Sequence, residues 1–439
     1  MRKCLKIVVG LVVLYSATAT AAPATMEEMK ATVDALQSKL QAQQGRLDQL
    51  ENRVAQDMKL EMAKVAKELA ADAAKQSATP AWLDNLKFYG DFRLRAQFDC
   101  ADDTGEEFSS AGDTRRQKNR NRVRFRLRFG FIKTWLDEQL TVGVRLASGE
   151  RVDSGSPFYP GSDPTTTNQT FTNFFSEKDI WIDRAYAIYK PKAIPGLVVA
   201  GGKVGVPFVH TDLIWDEDVN PEGFWAQYSK AFGPIEPFIS MGYFIAYDNS
   251  AGDNQYDTTL HFYQLGSNWQ VCDALKWTFA ASYYDFDHTS VATGADSLGF
   301  QMINLTNKFG FKVFDLPWSV YVDYVHNCDN RLDLATDENM DDGVAVGLKV
   351  GQNKKKGDWS VAYKYAYIES FCTPFLFNDS DFNHTNSRGH VLRAKYNLTD
   401  FLTLGGSVFF LQTINDSAVF DDVSGEEEIT TQIDLMWSF

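Results

Sequence analysis

Long apolar segments are missing from this sequence, and cysteine and histidine are scarce. Its 439 residues include five Cys and six His, and the mean hydropathy is −0.29. A polytopic helical membrane protein needs several apolar segments of about 20 residues, so that class is excluded. The chain also lacks a cationic excess, because 58 Asp and Glu outnumber 43 Lys and Arg and give a net charge of −15. This balance argues against a nucleic-acid-binding protein.

The usual signatures of catalysis are absent as well. The histidines form no HExxH pair, and the chain has no CxxC, GxSxG or GK[ST] motif. His384 and His390 lie close together in a polar stretch, where surface positions are expected rather than metal ligands. We therefore expect no enzyme, no catalytic residue and no metal or other cofactor.

Aromatic residues, by contrast, are abundant. Phe, Tyr and Trp together make up 14% of the chain, and 30 glycines accompany them. A disordered chain is poor in aromatic residues, so disorder is disfavoured. What remains is a globular or barrel protein, with room for one large domain and an appendage.

The first 22 residues are typical of a secretory signal peptide. A basic start at Arg2 and Lys3 precedes a short apolar run at 7–15, and small residues follow at 19–21. An N-terminal anchor helix is the alternative, although such a short run cannot span a bilayer. Export to an oxidising compartment follows from this interpretation.

Residues 23–79 are predicted to form a periplasmic coiled coil and a linker. Apolar residues recur at alternating steps of four and three, which is the pattern of a heptad seam. The seam consists of Met29, Val33, Leu36, Leu40, Gln43, Leu47, Leu50 and Val54, and after a phase slip it resumes at Met58, Met62, Val65 and Leu69. One stripe cannot bury itself, so self-association or a partner helix is expected; a single helix on its own domain is the alternative.

From residue 80 to residue 439 the sequence predicts a barrel of strands. Apolar residues alternate with polar ones, as in Phe88, Phe92 and Leu94 against Arg93 and Arg95. The fold class we predict is an all-β transmembrane barrel of about 16 antiparallel strands, preceded by the α-helical coiled coil. The candidate strands are 87–98, 119–132, 139–147, 179–189, 197–204, 223–230, 235–246, 259–270, 274–286, 299–309, 317–326, 343–351, 358–368, 388–397, 401–412 and 429–439.

The connections and the strand ends also indicate an outer-membrane barrel. Long polar connections alternate with short turns, as expected for an even number of antiparallel strands in such a barrel. Aromatic residues near strand ends, including Tyr89, Trp269 and Trp359, would form the interface girdles. A large soluble β-sandwich is the alternative, but it would not explain the alternating final strand that ends in Phe439.

Several segments resemble the putative porin family of Gram-negative outer membranes, whose members have a cleaved signal, an N-terminal coiled coil and a long β-barrel. The resemblance lies in YGDFRL at 89–94, the arginine-rich strand at 120–128, NQTFTNFFS at 168–176, DRAY at 183–186 and DLIWDEDVNPEG at 212–223. It implies an outer-membrane diffusion channel and names no solute. Beyond residue 230 the likeness is to barrels in general.

The polar face of the predicted strands is strongly cationic. If the apolar face points outward, the pore-lining residues are Asp91, Arg93, Arg95, Arg122, Arg124, Arg126, Arg128, Arg145, Lys349, Lys364, Arg393 and Lys395. Rings or ladders of arginine favour anions in a pore. Alternatively, these arginines are solvated or paired with nearby acids and only keep the lumen wet.

The acidic residues concentrate in the long connections. We predict that loop 205–222 folds inward against the arginine wall as a constriction loop, with its acids Asp212, Asp216, Glu217, Asp218 and Glu222 facing the cations. Parts of this loop mimic the opening of a calcium-binding loop, but Pro221 occupies the position that needs glycine. An EF-hand is therefore not expected, although calcium bound loosely by the loops stays open.

Four cysteines remain after removal of the signal. Cys328 and Cys372 fall in neighbouring long loops, so a disulfide between them is geometrically allowed; free thiols are the alternative. Cys272 falls in a short turn on the opposite side.

The predicted function is an outer-membrane porin for passive diffusion of small hydrophilic solutes or ions. The alternatives are an anion- or phosphate-selective channel and a structural tether that connects the outer membrane to the cell wall through the coiled coil. The expected partners are outer-membrane lipid and lipopolysaccharide, two further copies in a homotrimer, and peptidoglycan through the coiled coil. A surface receptor or adhesin would need longer loops than these.

Overall fold

The computed structural model describes residues 38, 53–54, 56–65, 83–101, 119–152, 161–248, 257–287, 299–329, 340–415 and 427–439. The chain divides into two units, Met1–Asp84 and Asn85–Phe439. The second unit contains all the strands named below. Among the described residues, no helix is both long and apolar enough to cross a membrane.

Most of the described residues of the first unit are helical. They include 53–54 and 56–65, where the predicted seam continues. Val54, Met58 and Met62 are 56%, 47% and 60% exposed within the single chain. Pairing with another helix stays a prediction, and residues 1–22 and most of the seam lie outside the described part of the chain.

The second unit consists mainly of strands whose polar and apolar residues alternate. In chain order the strands are β1 Leu86–Ala101, β2 Arg120–Trp135, β3 Leu140–Ser148, β4 Arg151–Val152, β5 Gly161–Ser162, β6 Gln169–Thr170, β7 Ile180–Tyr189, β8 Leu197–Lys203, β9 Glu222–Ser229, β10 Ile235–Tyr247, β11 Thr258–Cys272, β12 Leu275–Asp287, β13 Phe300–Val313, β14 Leu316–Asn327, β15 Asp342–Gly351, β16 Trp359–Ile368, β17 Ser387–Asn397, β18 Leu402–Thr413 and β19 Glu427–Ser438. All sixteen predicted strands are present, and the short β4, β5 and β6 lie in a long connection where no strand was predicted.

Sixteen strands close into an antiparallel barrel. Each of β1–β3 and β7–β19 pairs with its neighbour in that order, and β1 pairs with β19 to complete the ring. The short β6 adds to the edge of β2, where Arg124 lies opposite Thr170. Closure leaves no free sheet edge, which is what a barrel in lipid requires. Short turns, such as the one between Cys272 and Leu275, lie at one end, and the long connections lie at the other.

The two faces of the wall differ as the alternation predicts. Phe88, Val123 and Ile433 point outward and are 61%, 49% and 50% exposed, whereas the inward Arg95 is 6% exposed. The apolar outer face is suited to lipid. Tyr89, expected in a girdle, instead faces inward, because it shares the face of the arginines on β1.

Loop 204–221 leaves the wall early because β8 has only seven residues. Gly202 has a φ of +110°, and a Cβ atom there would lie 2.3 Å from the carbonyl oxygen of Ala185 on β7. A side chain at this position would clash, so glycine is required. After β8 the chain enters the lumen as loop 204–221 and does not extend the strand.

The lumen contains an apolar core that the sequence analysis did not predict. Inward residues on β10 to β13, such as Phe244, Phe262 and Phe286, are nearly fully buried. They are covered by two inward loops, loop 204–221 and loop 369–386, which contribute Phe208 and Phe382 among others. The hydrophobic effect therefore fills one side of the barrel with these loops.

Candidate functional site

The two inward loops contact each other inside the barrel. The rings of Trp215 and Phe377 stack with centroids 5.2 Å apart, and Phe377 stacks in turn on Phe286 of β12 at 5.8 Å. The backbone N–H of Asp216 donates to the carbonyl of Phe377 at 2.7 Å. The Asn378 side-chain N–H donates to the carbonyl of Leu213 at 2.6 Å. The loops thus form one plug against the wall.

A buried ion pair fixes loop 204–221 to the opposite wall. Lys364 of β16 donates to Asp212 at 2.7 Å, and the Tyr321 hydroxyl donates to the same carboxylate at 3.0 Å. Arg393 lies 3.9 Å from Asp212. Although burial alone would raise the pKa of Asp212, the charges of Lys364 and Arg393 hold it well below its ordinary value. Asp212 is therefore ionised at neutral pH.

The pKa of Asp216 is shifted in the opposite direction from that of Asp212. Its carboxylate is buried and accepts the backbone N–H of Asp218 at 2.7 Å. Burial and the negative charges of Asp379 and Asp218 raise the pKa of Asp216 well above its ordinary value. Burial also raises the pKa of Asp379. Asp379 has Arg393 at 3.5 Å and Lys364 at 3.8 Å, so Asp216 is the less compensated of these two carboxylates.

We expect acidification to tighten this plug. At a pH above the raised pKa of Asp216, its carboxylate is ionised and disfavours docking of loop 204–221. Protonation removes this penalty as the pH falls from the raised pKa to the ordinary pKa of an aspartate. Single-channel recordings should therefore show lower conductance or longer closures at about pH 4.5 than at about pH 7.5. Asp216→Asn should show the low-pH behaviour at both values. A full pH response in Asp216→Asn would contradict this assignment.

The arginines of β1 and β2 form a continuous inward surface, which we call the arginine face: Arg93, Arg95, Arg122, Arg124, Arg126 and Arg128. Ladder pairing places Arg93 opposite Arg126 and Arg95 opposite Arg124. Like charges directly opposite each other are unfavourable on a strand pair. Acidic partners are therefore needed across the face.

Most of the arginine face has such partners. Arg95 makes two hydrogen bonds to Asp434 at 2.8 and 3.0 Å and one to Asp381 of loop 369–386 at 3.1 Å. Although burial alone would raise the pKa of Asp381, the charge of Arg95 holds it well below its ordinary value. The second inward loop is thus tied to the arginine face by charge.

Two further carboxylates of β1 neutralise the arginines of β2. Asp91 accepts from Arg126 at 3.0 Å and from Arg128 at 2.7 Å. Asp99 accepts from Arg122 at 2.9 Å. Much of the arginine face therefore matches the second interpretation of the sequence, in which nearby acids pair with the arginines.

Arg93 and Arg124 differ from the rest of the arginine face. Arg93 donates to the amide oxygen of Asn168 at 2.6 Å, and Arg124 makes only a long contact of 3.5 Å to Gln97. Neither forms an ion pair with a carboxylate among the described residues. The Nε atoms of both are buried without a hydrogen-bond partner there. The sequence alone could not show that these two arginines lack acidic partners, because the acids that pair with the other arginines of the face come partly from distant strands and loops.

The arginines further along the wall are bound to protein groups. Arg145 forms an ion pair with Asp183 of β7, and Arg184 donates to the side chain of Asn220 at 2.7 Å. Asn220 also donates to Asp183 at 2.7 Å. Loop 204–221 is thereby attached to β7, which the Arg145–Asp183 ion pair connects to β3.

The remaining predicted pore-lining cations lie on β15 to β17. Lys364 is buried with Asp212, whereas Arg393 is 35% exposed and approaches Asp379 at 3.5 Å. Lys349 and Lys395 are exposed, and both lie on the inward face according to the ladder alternation. These cations border the lumen on the side of the barrel next to β18, β19 and β1.

The predicted acids of the constriction loop are divided between two locations. Asp218 accepts from Arg128 at 3.2 Å and from the Thr167 hydroxyl at 2.9 Å, so it faces the arginine face. Glu217 is exposed. Glu222 differs from the prediction: it is the first residue of β9, on the outward side, and pairs with Lys203 at 2.7 Å. The strand begins one residue earlier than expected and turns Glu222 away from the lumen.

The calcium and disulfide predictions gain no support from these contacts. The side chains of Asp218 and Asn220, which resemble the start of a calcium loop, already bind arginines. Cys328 and Cys372 are free thiols; Cys328 is exposed, and the fully buried Cys372 donates to the carbonyl of Glu369 at 3.2 Å. The predicted disulfide is therefore not formed in this structure.

A cleft lies beside loop 204–221 within the barrel. Its volume is about 330 Å³, and Arg184, Tyr186, His210 and Glu217 line it. Polar groups of both charge signs thus border open space next to the plug. The interior of the barrel thus has one apolar side, filled by the two loops, and one side lined by cations and acids.

Comparisons with known proteins identify the family and the type of barrel. A family model described as a putative porin matches residues 15–298 and 293–424. Among solved structures, Pseudomonas putida OprB at high pH has a TM-score of 0.51 and 12% identity, over 81% of this chain and 95% of that chain. A variant of the Rh. blastica porin has a TM-score of 0.42 and 12% identity, over 81% of this chain and 100% of that chain. No curated protein matches the chain significantly. At such identity, the likeness to OprB extends to the fold alone.

Proposed function

The chain belongs to the putative porin family, and from this premise we propose that it is an outer-membrane channel for small hydrophilic solutes with a moderate preference for anions. Passive diffusion follows from the family and from the closed barrel of sixteen strands. A barrel of this size leaves an aqueous lumen. The inward loops reduce that lumen, so solute size and charge would both matter.

The proposed anion preference rests on two arginines that form no ion pair. Arg93 and Arg124 have no carboxylate partner among the described residues, while Asp91, Asp99 and Asp434 are used by other arginines. A fixed cation without a counter-charge attracts mobile anions into a narrow aqueous passage. The paired arginines contribute little net field, which makes the preference moderate.

Selectivity should respond to these two arginines. We expect Arg93→Gln combined with Arg124→Gln to shift the reversal potential in a KCl gradient toward cation preference, by roughly a threefold change in permeability ratio. Purified protein in planar bilayers provides the measurement.

The matched control removes two exposed cations that pair with exposed acids. Arg151→Gln with Lys192→Gln eliminates exposed ion pairs with Asp179 and Asp137 and should leave the reversal potential unchanged. An equal shift in this control would show that overall charge, rather than the arginine face, sets selectivity. An unchanged potential in the Arg93 and Arg124 variant would overturn the anion proposal.

A specific oxyanion channel is the second candidate. The buried Nε atoms of Arg93 and Arg124 lack partners in the described part of the chain, and guanidinium groups bind phosphate and carboxylate well. Saturable block of chloride current by low phosphate concentrations would favour this candidate. A current that scales with salt and shows no block would favour general diffusion.

The proposed assembly involves the N-terminal segment. A homotrimer, contacts with lipopolysaccharide and attachment to peptidoglycan through the coiled coil are proposals based on the heptad pattern of residues 26–69 and on the outer-membrane barrel. Ion conductance of a chain lacking residues 26–79, together with a peptidoglycan pull-down of that segment, separates the tether from the channel role.

A further inference from the structure

Three side chains that commonly bind metals converge at the long-loop end of β14 and β15. They belong to His326, Asp341 and Asp342, and one ligand atom of each lies within 4.8 Å of the other two. His326 lies directly opposite Asp342 in the strand ladder. The side chains of these two are 39% and 49% exposed, so water and ions reach the group.

Asp341 is the unusual member of this group. It is only 7% exposed, and its carboxylate makes no hydrogen bond within the described part of the chain. One of its carboxylate oxygens lies 4.0 Å from the His326 Nδ1 atom. A carboxylate in a mostly buried side chain gains from a cation bound beside it. Asp341 and His326 are thus spaced so that one ion could contact both.

We propose that His326, Asp341 and Asp342 bind one divalent transition-metal ion such as Zn²⁺. The His326 Nδ1 atom lies 3.0 Å from an oxygen of Asp342 and 4.0 Å from one of Asp341. Ligand atoms around tetrahedral zinc lie about 3.4 Å apart, given metal–ligand distances of about 2.1 Å. Small side-chain shifts would thus close the site. Water would complete the coordination.

The ligand chemistry selects the class of metal. An imidazole nitrogen with two carboxylates suits zinc and related transition metals, whereas calcium and magnesium prefer oxygen ligands throughout. Surrounding groups hold Asp342 in place: Tyr324 donates to its carboxylate at 2.5 Å, and its backbone N–H donates to Glu369 at 2.8 Å. Such hydrogen bonds orient a ligand before the metal arrives. The bound ion would connect the end of β14 to the start of β15.

Calorimetric titration of the untagged full-length protein with ZnCl₂ in detergent tests this proposal. We expect one ion per chain, and we expect His326→Gln and Asp341→Asn each to weaken binding at least about tenfold. Co²⁺ provides a second readout, since its visible absorption reports a nitrogen ligand and should change in His326→Gln.

The control is a second His–Asp pair at the same end of the barrel. His261 lies 3.5 Å from Asp287, both are exposed, and neither belongs to a group of three metal-ligating side chains among the described residues. His261→Gln should bind Zn²⁺ like the unmodified protein.

Three results would overturn the proposal. They are unchanged Zn²⁺ affinity in His326→Gln, equal weakening in His261→Gln, and displacement of Zn²⁺ by an equal concentration of Ca²⁺. Heat-modifiable gel migration shows that each variant retains its barrel, so loss of binding cannot be confused with misfolding.

Discussion

Replacing Trp215 by alanine is expected to increase the single-channel conductance about twofold, because this ring joins the two inward loops. Trp215 is 2% exposed and contacts Phe208 at 5.7 Å and Phe377 at 5.2 Å between ring centroids. Loss of a buried tryptophan side chain costs about 3–5 kcal/mol of packing free energy. This loss weakens the docking of loop 204–221 against loop 369–386, so the passage should widen.

The wall of the barrel should survive this change, because its ladder hydrogen bonds do not involve Trp215. Trp359→Ala is the matched control, since Trp359 lies on β16 and is 42% exposed on the outward face. It removes the same side chain without touching the plug, so its conductance should equal that of the unmodified channel. Unchanged conductance in Trp215→Ala would show that the inward loops do not limit the current.

The barrel itself was predictable because lipid imposes a simple rule on every strand. Outward residues such as Val123 and Leu127 must be apolar, and their neighbours may be polar, so the alternation repeats along the chain. The positions of the turns are predicted by the places where this alternation stops. The helical segment has no such external constraint, since its partner would be another chain.

The plug was only partly predictable. The acids of loop 204–221 suggested an inward position, but the apolar sequence Leu213-Ile214-Trp215 in a polar loop was the stronger signal and was overlooked. Loop 369–386 carries a similar signal in Phe375 and Phe377. On β10, both faces are apolar, which is typical of a strand buried on each side.

The charge pairs inside the lumen could not be predicted from sequence. Arg95 pairs with Asp381 and Asp434, which lie 286 and 339 positions further along the chain. Only closure of the barrel and docking of the loops bring them together. The predicted cationic wall is therefore a mixed surface of paired and unpaired charges.

Replacing Asp212 by asparagine should release loop 204–221 from β16. The change leaves the buried Lys364, which is 5% exposed, with Asp379 at 3.8 Å as its remaining carboxylate neighbour among the described residues. Loss of a hydrogen bond to a charged group costs about 1.5–3 kcal/mol. Amide hydrogen exchange in peptides from residues 205–221 should therefore accelerate roughly ten- to hundredfold.

Two further variants show whether the buried charge is the cause. Asp137→Asn disrupts an ion pair with Lys192 whose carboxylate is 88% exposed, so exchange in the loop should not change. Adding Lys364→Met to Asp212→Asn removes the unpaired cation and should restore part of the protection, since replacing both members of a buried pair is far less costly than removing one. If the double variant exchanges faster than Asp212→Asn alone, the Lys364 ammonium stabilises the loop through Asp379 or the Phe382 ring, 4.4 Å away, rather than through Asp212.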